Sequence, residues 1–389
     1  MVEVIRRTVR PSGIRTIFDR AAALERQGNR VLHLEIGRPA WKMPPGAVPS
    51  AKQALDDGFV HYIANRGTND LRDAIAASII ESTGRRFDPE QEIIVTIGAS
   101  EALSMAGLAL LGAGDEVIIP QPAWNHYEAV VGLAGASPVR LGLSESDGFM
   151  LDAEGLAKLI TSRTKMIIIN SPSNPTGAVQ PADVLKEVAQ LALKNGIFVF
   201  SDEIYDQFIF NGEHVSIVQF LGDSELLLYV NSFSKSYAMT GWRVGYIAGK
   251  APIAHAMNCI HQYLTVCGVP FAQKGATQVL RDSQRRSYLE EMRAAFRQRR
   301  SVWVDGVSDC NAIRFVPPAG AFYLFPRISY KGMSGRQFCE YLLENHRIAC
   351  VPGDVFGEQY RDYVRISYGC ELDTQRAAST RLREIVADE

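Results

Sequence analysis

The chain has 389 residues, of which 47% are hydrophobic and 22% charged, and its formal net charge at pH 7 is −2. This composition is typical of a globular protein and excludes a disordered or low-complexity chain, while the length predicts two packed units rather than one. Because basic and acidic residues are mixed along the chain, neither a nucleic acid nor an anionic membrane is expected as the main partner.

Charged residues interrupt the start of the chain, at Glu3, Arg6 and Arg7. We therefore expect no secretory signal and no membrane-spanning segment, and we predict a cytoplasmic location. The six cysteines include no CxxC pair, and a chain of this length does not need disulfides for stability. We expect the cysteines to be reduced, and we assign none to a metal.

From about Glu92 onward, short apolar runs alternate with segments of helical periodicity. The runs predicted as strands are residues 92–97, 116–119, 166–170, 197–200, 226–230 and 244–248. The segments predicted as helices include residues 101–111, 152–160 and 181–194. Uninterrupted apolar strands joined by helices are typical of a parallel sheet that is covered on both faces. The predicted fold class is therefore α/β, with a doubly wound, mostly parallel sheet.

A long charged helix is predicted over residues 282–300, and beyond it the alternation of strands and helices becomes less regular. We therefore predict a large domain over residues 46–282 and a second, smaller α/β domain built from the two chain ends, residues 1–45 and 283–389. In an open α/β sheet, ligands bind beyond the carboxyl ends of the strands. The residues that follow each strand are therefore the candidates for a functional site.

Small and polar residues follow the first and third of these predicted strands. Gly98, Ala99 and Ser100 lead into a helix, where free N–H groups bind anions, although a serine in this position is more often an ordinary helix cap. Residues 171–177 (SPSNPTG) either hold Asn174 at the edge of the sheet or form a plain turn.

Charged residues follow the later strands. Asp202 either caps a helix or binds the protonated nitrogen of a heteroaromatic ring. Lys235 lies among hydroxyl residues just beyond a predicted buried strand, where a solvated surface lysine is less expected. Arg243 opens the next apolar run.

No Gly-x-Gly-x-x-Gly follows the first strand, which argues against a dinucleotide-binding oxidoreductase.

Together these segments resemble the class I and II aminotransferases, the aspartate aminotransferase family of fold-type I pyridoxal-phosphate enzymes. The matching motifs are Asn174-Pro175-Thr176-Gly177, Asp202-Glu203-Ile204-Tyr205, Ser232-Phe233-Ser234-Lys235, Gly241-Trp242-Arg243-Val244-Gly245 and Arg365-Ile366-Ser367-Tyr368. Each motif is weak alone, but their shared order along nearly the whole chain is specific. The resemblance implies pyridoxal 5'-phosphate as cofactor, and a ping-pong transfer of an amino group from an L-amino acid to a 2-oxo acid.

The resemblance also implies a role for each matching residue. Lys235 forms a Schiff base with the cofactor and moves the substrate proton, while Asp202 pairs with the pyridine nitrogen. Asn174 and Tyr205 bind the phenolic oxygen of the cofactor, and Asn174 also borders the substrate. The phosphate is held by Ala99, Ser100, Ser232, Ser234 and Arg243, and Gly98 also belongs to the cofactor-binding residues.

Four further residues receive roles from the same resemblance. Trp124 stacks on the pyridine ring, although an isolated tryptophan is more often plain core. Arg365, helped by the N–H of Gly37, binds the α-carboxylate of the substrate, the alternative being a structural salt bridge with a carboxylate of the chain. Tyr62 reaches the phosphate of the other subunit, which implies a homodimer.

Two segments depart from the family pattern. Residues 37–42 (GRPAWK) stand where many relatives have Gly-Glu-Pro-Asp-Phe, and residues 124–127 (WNHY) also differ from the commoner version. The first change either selects substrates or is surface variation, so the amino donor stays open.

The same catalytic residues serve pyridoxal-phosphate lyases and oxidases, and these remain alternatives. A noncatalytic binding module has no need for intact Lys235, Asp202 and Arg365 together.

Overall fold

The structure is a computed structural model that describes residues 11–387. The interpretation of the first ten residues as lacking a secretory signal lies outside the described residues. The strands are β1 (Leu32–His33), β2 (Ile93–Thr96), β3 (Glu116–Gln121), β4 (Ser137–Gly142), β5 (Thr164–Asn170), β6 (Phe198–Asp202), β7 (Leu227–Ser232), β8 (Gly245–Ala248), β9 (Ile313–Arg314), β10 (Tyr323–Leu324), β11 (Arg327–Ile328), β12 (Ile348–Ala349), β13 (Val351–Pro352) and β14 (Val364–Ser367).

Helices lie between and around these strands. They are α1 (Gly13–Arg26), α2 (Ala47–Asp56), α3 (Asn69–Thr83), α4 (Ala99–Leu110), α5 (His126–Leu133), α6 (Ala153–Leu159), α7 (Ala182–Asn195), α8 (Val218–Leu221), α9 (Phe233–Ser236), α10 (Ala251–Leu264), α11 (Pro270–Arg281), α12 (Arg285–Val307), α13 (Gly335–His346) and α14 (Leu372–Val386). Within the described part of the chain, no helix is long and apolar enough to cross a membrane.

Seven strands form the main sheet in the order β2-β8-β7-β6-β5-β3-β4. Apart from β8, which is antiparallel to both its neighbours, the strands run in one direction. Successive residues of β5 enter opposite cores: Ile167 and Ile169 pack in one apolar cluster, and Met166 and Ile168 in another. The sheet is therefore buried on both faces, and the predicted α/β class with a mostly parallel sheet is confirmed.

Two strands of the main sheet differ from the sequence predictions. The edge strand β4 was not predicted, because its sequence includes Pro138 and Arg140 and most of its residues are exposed or half-buried. The strand predicted at residues 244–248 does form, as β8, but it runs antiparallel. The connection from β7 holds only the one-turn helix α9 and a 3₁₀ turn, without the long helix that usually makes a parallel crossover.

The two chain ends pack against each other. Strand β1 pairs in parallel with β12, so that Leu32 lies opposite Ile348. The long helix predicted at residues 282–300 is α12, which begins and ends later than expected. Strands β10, β14 and β13 form a separate small sheet, in which Arg365 lies opposite Val351. The boundaries of the two predicted domains stay a prediction.

Candidate active site

The polar residues predicted to follow the strands meet at the carboxyl edge of the main sheet. Asn170 ends β5 and lies opposite Asp202, which ends β6. The side-chain amide of Asn170 donates to the backbone oxygen of Asp202 at 3.0 Å, and its Oδ1 accepts the N–H of Asn174 at 2.9 Å. Asn170, to which we assigned no role from the sequence, therefore attaches the Asn174 loop to the end of β6.

Lys235 lies on α9, directly after the buried strand β7. Its Nζ donates to the backbone oxygen of Gly37 and lies 5.9 Å from the ring centres of Tyr205 and Phe322. Burial, followed by the positive charges of Arg365 and Arg243, lowers the pKa of Lys235 to about 8. A lysine in this environment has a larger neutral fraction at pH 7 than a surface lysine and is a better nucleophile.

Asp202 is only 2% exposed. Its Oδ2 accepts the hydroxyl of Tyr127 at 2.6 Å, and its Oδ1 accepts the N–H of Ile204 at 3.3 Å. Burial raises the pKa of Asp202 to about 6, and these two hydrogen bonds oppose the rise. No α-helix begins at Asp202, so it is not a helix cap. A buried carboxylate of this kind suits a cationic ring nitrogen.

Several hydrogen-bond donors lie close together at the start of α4. The helix begins at Ala99 after the cap residue Gly98, so Ser100 lies in the first turn and the interpretation of Ser100 as the helix cap is wrong. The N–H groups at the very start of a helix have no partner within it, and in α4 the first such bond is from the N–H of Glu101 to the oxygen of Gly98 at 3.1 Å. Beside them, Ser232 Oγ lies 3.0 Å from Ser234 Oγ, which places two hydroxyls together.

The guanidinium of Arg243 lies against the start of α4. Its guanidinium donates to the backbone oxygens of Thr240 at 3.0 Å and Ile97 at 3.1 Å. Gly98 has φ +74°, and a Cβ at that position would lie 2.4 Å from an Arg243 nitrogen. A Cβ at Gly245 would lie 2.8 Å from the Ala99 nitrogen. The two glycines thus allow the cation, the helix start and β8 to approach each other, as binding of a phosphate requires.

Arg365 lies on β14 and is 1% exposed. It donates to Asn174 Oδ1 at 3.0 Å and to the backbone oxygen of Glu35, and its Nε is buried without a partner. The ring centres of Tyr323 and Phe356 lie 4.7 and 5.1 Å from its guanidinium carbon. Within residues 11–387 we find no carboxylate in a salt bridge with Arg365, so the alternative of a structural ion pair is not supported there. A buried cation in this setting suits a carboxylate ligand.

Gly37 lies between Lys235, which donates to its backbone oxygen, and a pair of tyrosines. A Cβ at Gly37 would lie 2.0 Å from the hydroxyl oxygen of Tyr323, whose oxygen in turn lies 2.7 Å from that of Tyr205. A residue with a side chain would therefore clash with Tyr323 at this position, where the backbone oxygen also accepts the amine of Lys235. We assigned no role to Tyr323 from the sequence, since an aromatic residue in a short strand gives no functional signal.

The Trp124 ring lies beside two further aromatic side chains. It stacks on His126 with ring centres 4.6 Å apart and meets the edge of Tyr127 at 5.6 Å. From the sequence, Tyr127 was noted only as part of a departure from the family pattern, and its role as the hydrogen-bond donor to Asp202 was missed. Tyr62 is 86% exposed, and we find no contact between it and the other predicted site residues of the same chain among the described hydrogen bonds and ring contacts.

Known proteins share this arrangement of the chain. The family described as aminotransferase class I and II matches residues 29–382. The chain belongs to the class I and II aminotransferases. It is therefore a transferase, and the resemblance inferred from the motifs is confirmed.

The relatives of this aminotransferase include enzymes named for different substrates. It is 39% identical to an aspartate aminotransferase of Pyrococcus abyssi, over 98% of this chain and 97% of the relative. It is 35% identical to aromatic-amino-acid aminotransferase 2 of Thermococcus litoralis, over 98% and 97%. The solved structure of aspartate aminotransferase from Thermus thermophilus with maleate superposes with a TM-score of 0.94 at 34% identity, covering 99% of this chain and all of that one.

Proposed function

We propose that this aminotransferase uses pyridoxal 5'-phosphate, bound at Lys235, to move an amino group from an L-amino acid to a 2-oxo acid by a ping-pong mechanism in the cytoplasm. The observation that carries the proposal is that Lys235, whose pKa is lowered to about 8, interacts electrostatically with both the buried carboxylate of Asp202 and the buried guanidinium of Arg365. These three groups match the amine-capturing, ring-binding and carboxylate-binding parts of such a reaction.

The residues of the site fit the cofactor. The N–H groups at the start of α4, the hydroxyls of Ser232 and Ser234, and Arg243 would hold the phosphate. Asp202 would hold the ring nitrogen and Trp124 would flank the ring. When bound, pyridoxal phosphate supplies an aldehyde that captures an amino group, and an electron-poor ring that accepts the electrons left on Cα.

Lys235 would move the proton of the substrate. In its neutral form Nζ takes the proton from Cα, and in its protonated form it returns a proton. The hydrogen bond to the backbone oxygen of Gly37 holds the amine beside that residue. Asp202 stays anionic at neutral pH, since its pKa of about 6 lies below 7, and Tyr127 fixes the orientation of its carboxylate.

Arg365 would bind the α-carboxylate of the amino acid. It donates to Oδ1 of Asn174, which leaves the amide nitrogen of Asn174 free to donate toward the phenolic oxygen of the cofactor. The hydroxyl of Tyr205 is paired with that of Tyr323, and the Tyr205 ring lies near the amine of Lys235. The relatives are named for aspartate and for aromatic amino acids, which share the α-carboxylate that Arg365 would recognise.

The active unit is proposed to be a homodimer. Tyr62 and Tyr263 are 86% and 90% exposed, and Val60, Leu264 and Val266 are also exposed. The amide of Asn65 donates to the backbone oxygen of Val266, so the two segments are adjacent and form one apolar patch. Monomers rarely expose such contiguous patches, and a second copy that covers it would place Tyr62 at the phosphate of its partner.

The half-reaction tests this function. The holoenzyme is mixed with single amino acids, and absorbance is followed while oxo acid, ammonia and peroxide are measured. We expect one equivalent of oxo acid per site and recovery of the starting spectrum after a 2-oxo acid is added. Release of ammonia or peroxide instead would favour the lyase or oxidase alternatives. Lys235→Ala is expected to give no oxo acid while the protein stays folded.

A further inference from the structure

Two buried cysteines face each other in the C-terminal part of the chain. Cys339 lies on α13, and Cys350 lies between β12 and β13. Their sulfur atoms are 3.4 Å apart, and each residue is 1% exposed. All six cysteines of the structure are free. The thiol of Cys350 donates to the sulfur of Cys339, so the two side chains already point at each other.

We propose that Cys339 and Cys350 form a reversible thiol–disulfide couple, and that its oxidation weakens binding of the substrate carboxylate at Arg365. The pair loses two protons and two electrons and gains one sulfur–sulfur bond. The oxidant is a small-molecule disulfide or a peroxide. With the disulfide, one cysteine sulfur forms a mixed disulfide and releases a thiol, and the other cysteine then displaces the second thiol. With hydrogen peroxide, the two electrons and two protons give two molecules of water.

The bond requires only a small approach of the two sulfur atoms. A disulfide has a sulfur–sulfur distance of about 2.05 Å, so the present gap of 3.4 Å has to shrink by roughly 1.3 Å. Arg336, on the same helix as Cys339, donates to both carboxylate oxygens of Asp354 at 2.9 and 2.8 Å. This ion pair holds α13 against the segment that follows β13, and keeps the cysteines in register while they approach.

The approach is coupled to the substrate arginine through the backbone. Cys350 is followed by Val351, which lies opposite Arg365 in the ladder between β13 and β14. Arg365 is fully buried between two aromatic rings, with little room to restore its position after the strand has moved. A shift of about 1 Å in a binding group is enough to weaken a site markedly.

Burial sets the rate of the oxidation. Desolvation, together with the neighbouring Cys350, holds the pKa of Cys339 well above its usual range, so little thiolate is present in the closed structure. We therefore expect oxidation to pass through local opening of α13. It should be slow in buffer and faster in mild denaturant, whereas Cys259, which is exposed, should react quickly with thiol reagents.

Oxidised glutathione and the holoenzyme provide the test. Exposed thiols are first blocked with an alkylating reagent, the protein is incubated with oxidised glutathione, and unreduced digests are analysed by mass spectrometry. We expect a peptide that joins Cys339 to Cys350 and disappears after treatment with a dithiol. KM for the amino acid should rise about three- to tenfold while kcat changes less than about twofold. Cys339→Ser and Cys339→Ala should abolish the response, and Cys310→Ser should retain it.

Two outcomes would overturn the inference. If the mass spectra show no Cys339–Cys350 peptide even in mild denaturant, the pair is core packing alone. If the peptide forms but KM is unchanged, the coupling to Arg365 is wrong. The effect on KM rests on the proposed function, whereas the cross-link does not. A reduced holoenzyme without transaminase activity would reject that function and leave the mass measurement as a separate result.

Discussion

Lys235 and Asp202 show opposite pKa shifts with one main cause. Loss of water lowers the pKa of the lysine to about 8 and raises that of the carboxyl group to about 6, because burial disfavours the charged form of each. At pH 7, Asp202 is then mostly anionic and about a tenth of Lys235 is neutral. An acid that stays charged and an amine that is ready to react are thus available in the same pH range.

The rate at which the apoprotein captures the cofactor should depend on pH. The neutral amine is the nucleophile, and it accumulates above about pH 8 in place of the usual 10.5. The rate constant should therefore rise about tenfold per pH unit up to pH 8 and then level off. Stopped-flow absorbance between pH 6 and 10, corrected with a free amine for titration of the cofactor itself, measures it. A rate that keeps rising to pH 10 would show an ordinary lysine.

Arg365 should discriminate between amino acids and amines. Arg365→Lys loses the planar pair of donors and leaves the buried acceptors Asn174 and Glu35 poorly matched. We expect kcat/KM for an α-amino acid to fall by about 10²- to 10³-fold. The same amine without a carboxylate should react equally with both enzymes. Arg383→Lys, in an exposed ion pair with Asp309, is the control and should change neither value. Equal losses for both substrates would mean that Arg365 does not bind the carboxylate.

At the scale of elements, the start of α4 depends on glycine. Gly98→Ala would place a Cβ 2.4 Å from Arg243, whereas Gly84→Ala, at φ +73°, meets nothing within 4 Å. Both replacements strain the backbone, by about 1–3 kcal/mol, so both should lower Tm. Only Gly98→Ala should weaken cofactor binding, by at least about tenfold, because it displaces the guanidinium of Arg243. Cofactor titration of the two apoproteins decides this, and equal affinities would place the phosphate elsewhere.

The elements that were predicted correctly from the sequence are those with a strong local signal. The buried strands ending at Asn170 and Asp202 are apolar runs, so their ends, and the residues that follow, were located within a few positions. Tyr127 was missed because its role depends on a contact with Asp202, which is 75 positions away in the chain. No local pattern encodes such a pairing. The family resemblance placed Gly37 beside the substrate carboxylate, but its contact with Lys235, 198 positions away, was not predicted.

At the scale of the whole molecule, the exposed patch around Tyr62 and Tyr263 predicts a dimer. Tyr263→Arg puts a charge in the proposed interface and should shift the protein toward monomers and weaken cofactor binding. Leu193→Arg is the control, since Leu193 is 43% exposed on α7 and lies outside the patch. Sedimentation velocity measures the mass of both variants. A wild-type monomer that retains full activity would contradict the proposed contribution of Tyr62.

The central claim is that Lys235 holds the cofactor. Borohydride reduction of the holoenzyme fixes pyridoxal phosphate to the amine that binds it, and mass spectrometry of the digest identifies the modified residue. We predict one equivalent of label per chain, all of it on the peptide that contains Lys235. Label on another lysine, or no label after the apoprotein has been saturated with the cofactor, would contradict the claim.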